Sequence, residues 1–583
     1  MSDYLGDSGP VDEISQDSDF SRGGRSGGRT SLTRGAKFTA LTTALAVVVA
    51  GGVVTAAWRS FQSHGGPEKL IPSSAFAVGT LDLSMRGHGD ALAAFANHFP
   101  GSPTHHGDGS AVDRLLRAAF RASSDPHVDY DRDIKPWLGD HVALAGWMDK
   151  AGKPEMEGLI QSTDDSAARA EMRKLMTNGN GAFRIADGYV VLGDTDALVR
   201  ESIDAAHRAS LADNNAYAGD TDALPGDPAL TAWVDGPSAR KAIEAAMSPD
   251  EAKLFERMGS MGPLGMFGPL SLMGAARAGG GGATAGALGA GRSPFSGRTA
   301  IGVRVDDRYL EVDARSTGGP AQHGSSTKSL RALPASTIAA FELGDPSALV
   351  TGMTSAMKLF GGFTAPTLSG CSGTVEMVPP ASSVPQNLPN RRQILRELAR
   401  QRRKLHNASP CVTRHIQPPD PLQQIETATG LQLPGDAAAV LGDSLLASYG
   451  GLTLQGLPNV AVRTHPADLS AAQAVLDKVQ SRLPSSAHVP LTVDTSGGDL
   501  LLATSSDYVH EVEQTGSFGE QSQVQLALGG LPDTVGSAGY VDLSKILPLL
   551  GSVPRDVQAL KAVGFWTAVA GGVQTSQLRI VVG

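Results

Sequence analysis

Several stretches of the chain alternate apolar and polar residues with the period of a β-strand, and others repeat apolar residues with the period of a helix. The stretches AIGVRVDDRYLEVDARS (300–316) and AVGFWTAVAGGVQTSQLRIVV (562–582) each predict two alternating strands joined by a turn. The stretch LIQSTDDSAARAEMRKLM (159–176) predicts a strand that leads into an amphipathic helix. Because short turns favour antiparallel pairing, we expect an α+β fold with mixed, largely antiparallel sheets.

One segment is apolar over its whole length instead of alternating. Residues 38–58 read FTALTTALAVVVAGGVVTAAW and carry no charge, which is long enough to cross a hydrocarbon core of about 30 Å. Basic residues crowd its N-terminal side, namely Arg22, Arg25, Arg29, Arg34 and Lys37. This excess of basic residues before the apolar segment predicts a single-pass membrane helix, with the N-terminus in the cytoplasm and the rest of the chain outside it. A cleaved signal peptide is the alternative, but its apolar region is usually about 7–15 residues long.

The flanks of this segment are polar. Residues 1–37 are rich in Gly and Ser and bury too little apolar surface to fold, so we expect a disordered cytoplasmic tail. Residues 59–70 would form a juxtamembrane linker. The formal net charge of −10 argues against a nucleic-acid partner. The membrane is the expected partner, together with lipid or other envelope components.

A phrase near the start of the chain recurs near its end. IPSSAFAVGTLDLS (71–84) resembles LPDTVGSAGYVDLS (531–544), and in both phrases an Asp follows a Pro by ten residues. Other phrases recur in the same order, such as WLGDHVALAGW (137–147) and VLGDSLLASYG (440–450). We expect a tandem duplication with modules at 71–318 and 329–583, joined by a linker at 319–328. The predicted equivalent pairs are Asp82 with Glu342, Asp140 with Asp443, Asp235 with Asp542, and Gly302 with Gly564.

Each predicted module carries an insertion. The second module holds both cysteines, Cys371 and Cys411, within residues 361–420. Outside the cytoplasm such a pair favours a disulfide, and two free thiols are the alternative. The first module holds a Gly/Met-rich stretch at 257–292, which is either an apolar flap or a low-complexity loop.

Basic residues recur every fourth position inside the second insertion. They are Arg392, Arg396, Arg400 and Lys404. A basic amphipathic helix of this kind lies on anionic lipid or is simply a solvated helix face. Membrane-surface contact therefore stays one of two interpretations.

The catalytic motifs that match the sequence do not identify an active site. Ser325-x-x-Lys328 and Ser355-x-x-Lys358 match a pattern of penicillin-binding proteins, but neither has a K-T-G or S-x-N partner downstream. The His and Asp residues between positions 98 and 133 lack metal-ligand spacing. We predict no catalytic residue, no metal ligand and no cofactor.

The stretch DYDRDIKPWLGDHVALA (129–145) carries a resemblance to a known family. Its motif residues are Asp133, Ile134, Pro136, Trp137, Leu138 and Gly139. The chain resembles the membrane-anchored exported bacterial proteins that contain domain of unknown function 3352. The resemblance implies one N-terminal membrane helix and a long extracytoplasmic part. Two functions follow as hypotheses: a binding or scaffolding protein of the cell envelope, or alternatively an envelope hydrolase with an unrecognised active site.

Overall fold

The computed structural model shows a mixed α+β protein built on one large antiparallel sheet. It describes residues 66–84, 89–100, 109–122, 129–176, 181–246, 297–318, 324–346, 350, 426–427, 429–453, 456–482, 492–550 and 553–583. Sixteen strands within these ranges form the sheet, and every pair of neighbouring strands is antiparallel. The predicted α+β class with antiparallel strands is therefore confirmed.

The first half of the chain supplies eight strands. These are β1 (Ala75–Asp82), β2 (Leu138–Met148), β3 (Pro154–Ser162), β4 (Ala182–Ala186), β5 (Tyr189–Gly193), β6 (Leu230–Asp235), β7 (Arg298–Val305) and β8 (Tyr309–Thr317). Their spatial order is β4-β5-β3-β2-β1-β6-β7-β8. The alternating stretch 300–316 forms the β7–β8 hairpin.

The second half supplies the other eight strands and a small separate ladder. The strands of the large sheet are β10 (Ala339–Gly344), β11 (Ser444–Leu452), β12 (Pro458–Thr464), β13 (Thr492–Asp494), β14 (Leu500–Ala503), β16 (Ser537–Asp542), β17 (Leu560–Ala570) and β18 (Val573–Val582). Their spatial order is β13-β14-β12-β11-β10-β16-β17-β18, the same order as in the first half. The separate ladder pairs β9 (Ser325–Ser326) with β15 (Thr534–Val535).

The two halves meet where β8 pairs with β18. Asp313 faces Gln577 in this ladder, and Gln577 Nε2 donates a hydrogen bond to Asp313 Oδ1 at 3.3 Å. Next to this pair, the buried Glu311 accepts from Arg304 of β7 and Arg579 of β18. The junction is therefore a continuous strand pairing reinforced by a buried ion cluster.

Helices connect the strands and cover the sheet. In the first half they are α1 (Gly89–Asn97), α2 (Ala111–Ala122), a π-helix (Tyr130–Ile134), α3 (Asp165–Leu175), α4 (Asp196–Arg208), α5 (Asn215–Thr221) and α6 (Gly236–Ala246). In the second half they are α7 (Lys328–Arg331), α8 (Gly435–Leu441), α9 (Leu469–Arg482), α10 (Ser506–Glu513), α11 (Ser522–Ala527), α12 (Leu543–Ile546) and α13 (Arg555–Gln558).

Helix N-caps establish which residues of the two halves are equivalent. Asp164 accepts from the N–H groups of the second and third residues after it, and Asp468 does the same at the start of α9. The matched caps and strand ends are Asp164 with Asp468, Thr195 with Ser505, and Asp235 with Asp542. All three agree with one strand register across the whole sheet.

That register corrects two of the predicted pairs. Thr80 and Glu342 each face the equivalent residue of the next strand, so Thr80 and not Asp82 corresponds to Glu342. By the same ladders Gly302 corresponds to Trp566 and not to Gly564. Both predictions are wrong by two residues, because a shift of two keeps the same face of a strand and leaves the alternation unchanged.

The hydrophobic core lies on both faces of the sheet in the first half. Leu159 and Ile160 are neighbours on β3, yet they belong to different buried clusters. The cluster around Leu159 packs under α4, and the cluster around Ile160 packs under α3 and the π-helix. In the second half the cluster equivalent to that of Leu159 packs under α10 and α11.

Several predicted features lie outside the described residues. They are the tail 1–37, the membrane helix 38–58, the Gly/Met-rich stretch 257–292 and the Cys-bracketed insertion 361–420. Among the helices within the described ranges, none is both long and apolar enough to cross a bilayer. The predicted linker 319–328 extends too far, because Ser325 to Lys328 form β9 and the start of α7.

Candidate functional site

The motif that carries the family resemblance is part of the first-half core. Trp137 is fully buried, and its Nε1 donates to the backbone oxygen of Asp133 at 2.7 Å. The Asp133 carboxylate accepts from the backbone N–H of Asp129 at 2.8 Å, and the hydrogen bond from Arg132 lowers its pKa. Pro136 is exposed. These contacts close the π-helix and the turn after it, and Trp137 packs in the buried cluster that contains Ile160 of β3, so the motif contributes to the core.

The last residue of the motif is needed for a close approach between strands. A Cβ on Gly139 would lie 2.8 Å from the Gln161 side chain. The equivalent Gly442 is tighter still, since its φ is +62° and a Cβ would lie 1.9 Å from the His465 backbone oxygen. The shared Leu-Gly-Asp phrase therefore marks a point where only glycine fits in the second half.

A polar cavity opens beside Gly442. Its volume is about 380 Å³, and an adjoining cavity of about 660 Å³ shares Asp443 and His465 with it. We call the first cavity the second-half cleft and define it by Ser325, Glu342, Asp443, Arg463, His465 and Asp499. Its size is in the range of small-molecule sites.

Glu342 is the buried carboxyl of this cleft. It lies on β10, and only 2% of the residue is exposed. Ser325 on β9 donates its hydroxyl to Glu342 Oε1 at 2.6 Å. Burial raises the pKa of Glu342 to about 7, although the Ser325 hydrogen bond opposes that rise. The carboxyl therefore changes its charge near neutral pH.

Ser325 reaches this position through the small two-stranded ladder. Thr327 joins the end of β9 to the segment before β15: its backbone N–H donates to Asp533 O at 3.0 Å and its hydroxyl donates to Pro532 O at 2.9 Å. The serine of one dismissed S-x-x-K match thus lies in the cleft. Its hydroxyl donates to the Glu342 carboxyl group and does not contact a lysine or a histidine among the described residues.

Basic groups form the opposite wall. His465 Nδ1 lies 2.8 Å from Asp499 Oδ1, and this contact raises the pKa of His465. Arg463 Nε lies 3.9 Å from Asp499 Oδ2, and its Nη2 donates to the Val512 backbone oxygen at 3.2 Å. Asp499 therefore has two basic neighbours.

Two of the four equivalent positions in the first half are filled by core residues, a third by the buried Thr80 and the fourth by the half-buried Gln161. Counting along the ladders from the matched caps, the equivalents of Glu342, Arg463, His465 and Asp499 are Thr80, Leu159, Gln161 and Tyr189. Leu159 is 0% exposed and Tyr189 is 3% exposed, and both pack with Leu70 and Ile71. In the second half the side chains of Arg463 and Asp499 are 23% and 37% exposed. One location of the fold is thus a packed core in one half and a charged cavity in the other.

Sequence reasoning missed this cleft, although a signal was present. In the structural register Leu159 corresponds to Arg463. A charged residue at the position of a fully buried leucine is the signal that a correct alignment would have exposed.

The residues predicted to form a disulfide or to contact the membrane surface belong to the second insertion. Cys371, Cys411, Arg392, Arg396, Arg400 and Lys404 lie outside the described residues. Their proposed disulfide and membrane-surface contact stay predictions.

Comparison with known proteins adds no relative to this picture. No family model, no curated protein and no solved structure matches the chain.

Proposed function

We propose that this protein is a single-pass, membrane-anchored, extracytoplasmic binding protein of the cell envelope, and that the second-half cleft is its binding site. The anchor rests on residues 38–58 and their basic flank. The resemblance to proteins with domain of unknown function 3352 supports the same location.

We also propose that the two halves arose by tandem duplication. Their identical strand order, their shared register and their matched helix caps support this history. After a duplication, either copy is free to change while the other preserves the original packing.

The observation that carries the binding function is the contrast at the equivalent positions. Charged groups in a cavity cost stability unless they are paired. The fold therefore gains no stability from carrying Arg463 and Asp499 where the first half has Leu159 and Tyr189. Departures from packing rules of this kind cluster at functional sites. Ligand binding accounts for the departure.

A hydrolase is less well supported by the same groups. The His465–Asp499 contact has the form of a base and the group that orients it. Hydrolysis by a nucleophile also needs a hydroxyl that contacts the base. The Ser325 hydroxyl in this cleft donates to Glu342 instead.

A ligand-observed NMR screen of the full-length protein in detergent tests the binding function. The library should contain small amines, acids, sugars and lipid headgroups. We expect hits whose binding signal is lost in Asp499→Tyr, which places the tyrosine of the first half in the cleft, and is retained in Gln161→Ala, a change at the corresponding place in the first half. Hits that respond equally to both changes would contradict the assignment of the cleft.

Protease protection tests the proposed location. In intact cells, external protease should remove a C-terminal tag and spare an N-terminal one. A protected C-terminal tag would contradict an extracytoplasmic bulk.

A further inference from the structure

One oxygen of the second-half cleft lacks a hydrogen bond from the part of the chain that the structure describes. Glu342 Oε1 accepts from Ser325, but the buried Oε2 has no such partner. A buried carboxyl oxygen without a donor costs about 1–3 kcal/mol or more when charged. Glu342 lines the cavity, so a molecule that enters the cleft and reaches this buried oxygen supplies the missing donor.

The charge balance of the cleft favours a cationic donor. Arg463 and His465 both lie beside Asp499, and their charges are balanced in part by that carboxylate. Glu342 and Asp443 form no ion pair with any described residue. Asp443 interacts electrostatically with His465, so Glu342 is the carboxyl of the cleft that the described residues leave to attract positive charge when it is ionised.

The ligand set is better suited to an organic ammonium than to a metal ion. Calcium takes about 6–8 oxygen ligands and magnesium about 6. Among the described residues, no three His, Cys, Asp or Glu side chains lie close enough together to hold a metal. An ammonium group needs only hydrogen-bond acceptors, up to three in number.

We propose that the second-half cleft binds the ammonium group of a small organic cation, with Glu342 Oε2 as its principal acceptor and Asp443 as a second anionic contact. This inference rests on the proposed function, since it names the ligand class of that same site. Ser325 holds the Glu342 carboxyl in place through Oε1, and Arg463 and His465 exclude a second cation from the opposite wall.

Binding of this kind is coupled to the proton of Glu342. Its pKa near 7 means that a fraction of the free protein carries the neutral acid, whereas an ammonium favours the carboxylate. Bound cation therefore displaces a proton. His465, which faces the same cleft, acts in the same direction, because its hydrogen bond to Asp499 raises its pKa and it gains positive charge as the pH falls. Arg463, Asp443 and Asp499 are the other charged groups that line the cleft.

The test compares three probes of equal length by calorimetry with the full-length protein. They are 5-aminopentan-1-ol, neutral pentane-1,5-diol and anionic 5-hydroxypentanoate. We expect only the amine to bind, with an affinity that falls about 8-fold between pH 7.5 and 6.0 for one displaced proton with a pKa near 7. Magnesium and calcium chloride serve as further titrants.

Two variants locate the effect. Glu342→Gln should weaken the binding of the amine at least about 10-fold and reduce its pH dependence to the part that His465 contributes, because the remaining amide carries no charge. Glu157→Gln is the control, since Glu157 is another buried glutamate that accepts from a serine, Ser202, but lies in the first half. Glu157→Gln should leave the affinity for the amine and the pH dependence of that affinity unchanged.

The possible failures are distinguishable. Binding of the diol or the anion that is lost in His465→Ala would preserve the proposed function and overturn the ammonium inference. Preferred binding of magnesium or calcium would overturn it as well. If the amine binds Glu342→Gln as tightly as it binds the natural protein, the role of Glu342 is overturned. If none of the probes binds the natural protein, both proposals are overturned.

Discussion

The two halves of the sheet solve the same packing problem differently at one location. In the first half, Leu159 and Tyr189 fill the space between β3, β5 and the segment that carries Leu70 and Ile71. In the second half, Arg463 and Asp499 occupy the equivalent places and leave a cavity of about 380 Å³. The strand order is the same on both sides, so the architecture alone does not require the cavity. The comparison shows that the side chains, and not the fold, set the chemistry of this location.

The largest effect on stability is expected when the arginine found at position 463 is placed at the equivalent position 159 of the first half. Leu159→Arg should lower the free energy of unfolding by about 3–5 kcal/mol, because an unpaired charge would be buried. The reciprocal Arg463→Leu should change it by about 1 kcal/mol or less, since that side chain is partly exposed. Urea unfolding followed by tryptophan fluorescence measures both. Similar losses would show that the two locations do not differ as described.

A second large effect is expected at the junction between the halves. Glu311→Ala should cost about 3 kcal/mol, because Arg304 and Arg579 would lose their shared counter-ion. Thr575→Ala is the matched control at the equivalent position of β18 and should cost less than about 1 kcal/mol. Denaturant unfolding is again the measurement. A loss for Glu311→Ala no larger than that of the control would mean that the ion cluster does not stabilise the junction.

The equivalent glycines sharpen the comparison at the cleft. Gly442→Ala should cost about 1–3 kcal/mol, since its φ is positive and the new Cβ would meet a backbone oxygen. Gly139→Ala should cost less, because Gly139 does not have a positive φ and the new Cβ would meet side-chain atoms of Gln161 and not the backbone. Thermal unfolding of the two variants gives the order. The reverse order would contradict the tighter approach in the second half.

The effect with the smallest increment, counted per pH unit, concerns the buried carboxyls. Burial raises the pKa of Glu157 to about 8 and that of Glu342 to about 7, from an ordinary value of 4.5. Between these values the native state keeps a proton that the unfolded state has released. Stability should therefore fall as the pH rises from about 4.5 to 7 or 8, by at most about 1.4 kcal/mol per pH unit for each group.

Unfolding curves at several pH values test this dependence. Glu157→Gln should flatten the decline up to about pH 8, and Glu342→Gln should flatten it up to about pH 7. Stability that rises with pH in this window because of these two groups would contradict their assignment as buried acids.

Much of the fold was accessible from periodicity, and the site was not. The stretches 300–316 and 562–582 predict their hairpins because alternation reports directly on a half-buried strand. Helix starts such as Asp164 are equally local signals. The pairing of Thr80 with Glu342 depends on register, and a two-residue slip leaves the pattern of faces intact.

The cleft depends on contacts between residues far apart in the chain. Ser325 reaches Glu342 only because β9 pairs with β15, and His465 meets Asp499 across neighbouring strands. The interpretation of residues 319–328 as a linker followed from their polar composition, which does not distinguish a loop from a short strand at a polar cavity.

The most direct test converts the cleft into its first-half counterpart. The combined variant Glu342→Thr, Arg463→Leu and Asp499→Tyr carries the residues found at Thr80, Leu159 and Tyr189. Calorimetric titration of the natural and the converted full-length protein with the three five-carbon probes is the measurement. We expect at least one probe to bind the natural protein and none to bind the converted one. Equal binding to both proteins, or binding to neither, would contradict the assignment of this cleft as the binding site.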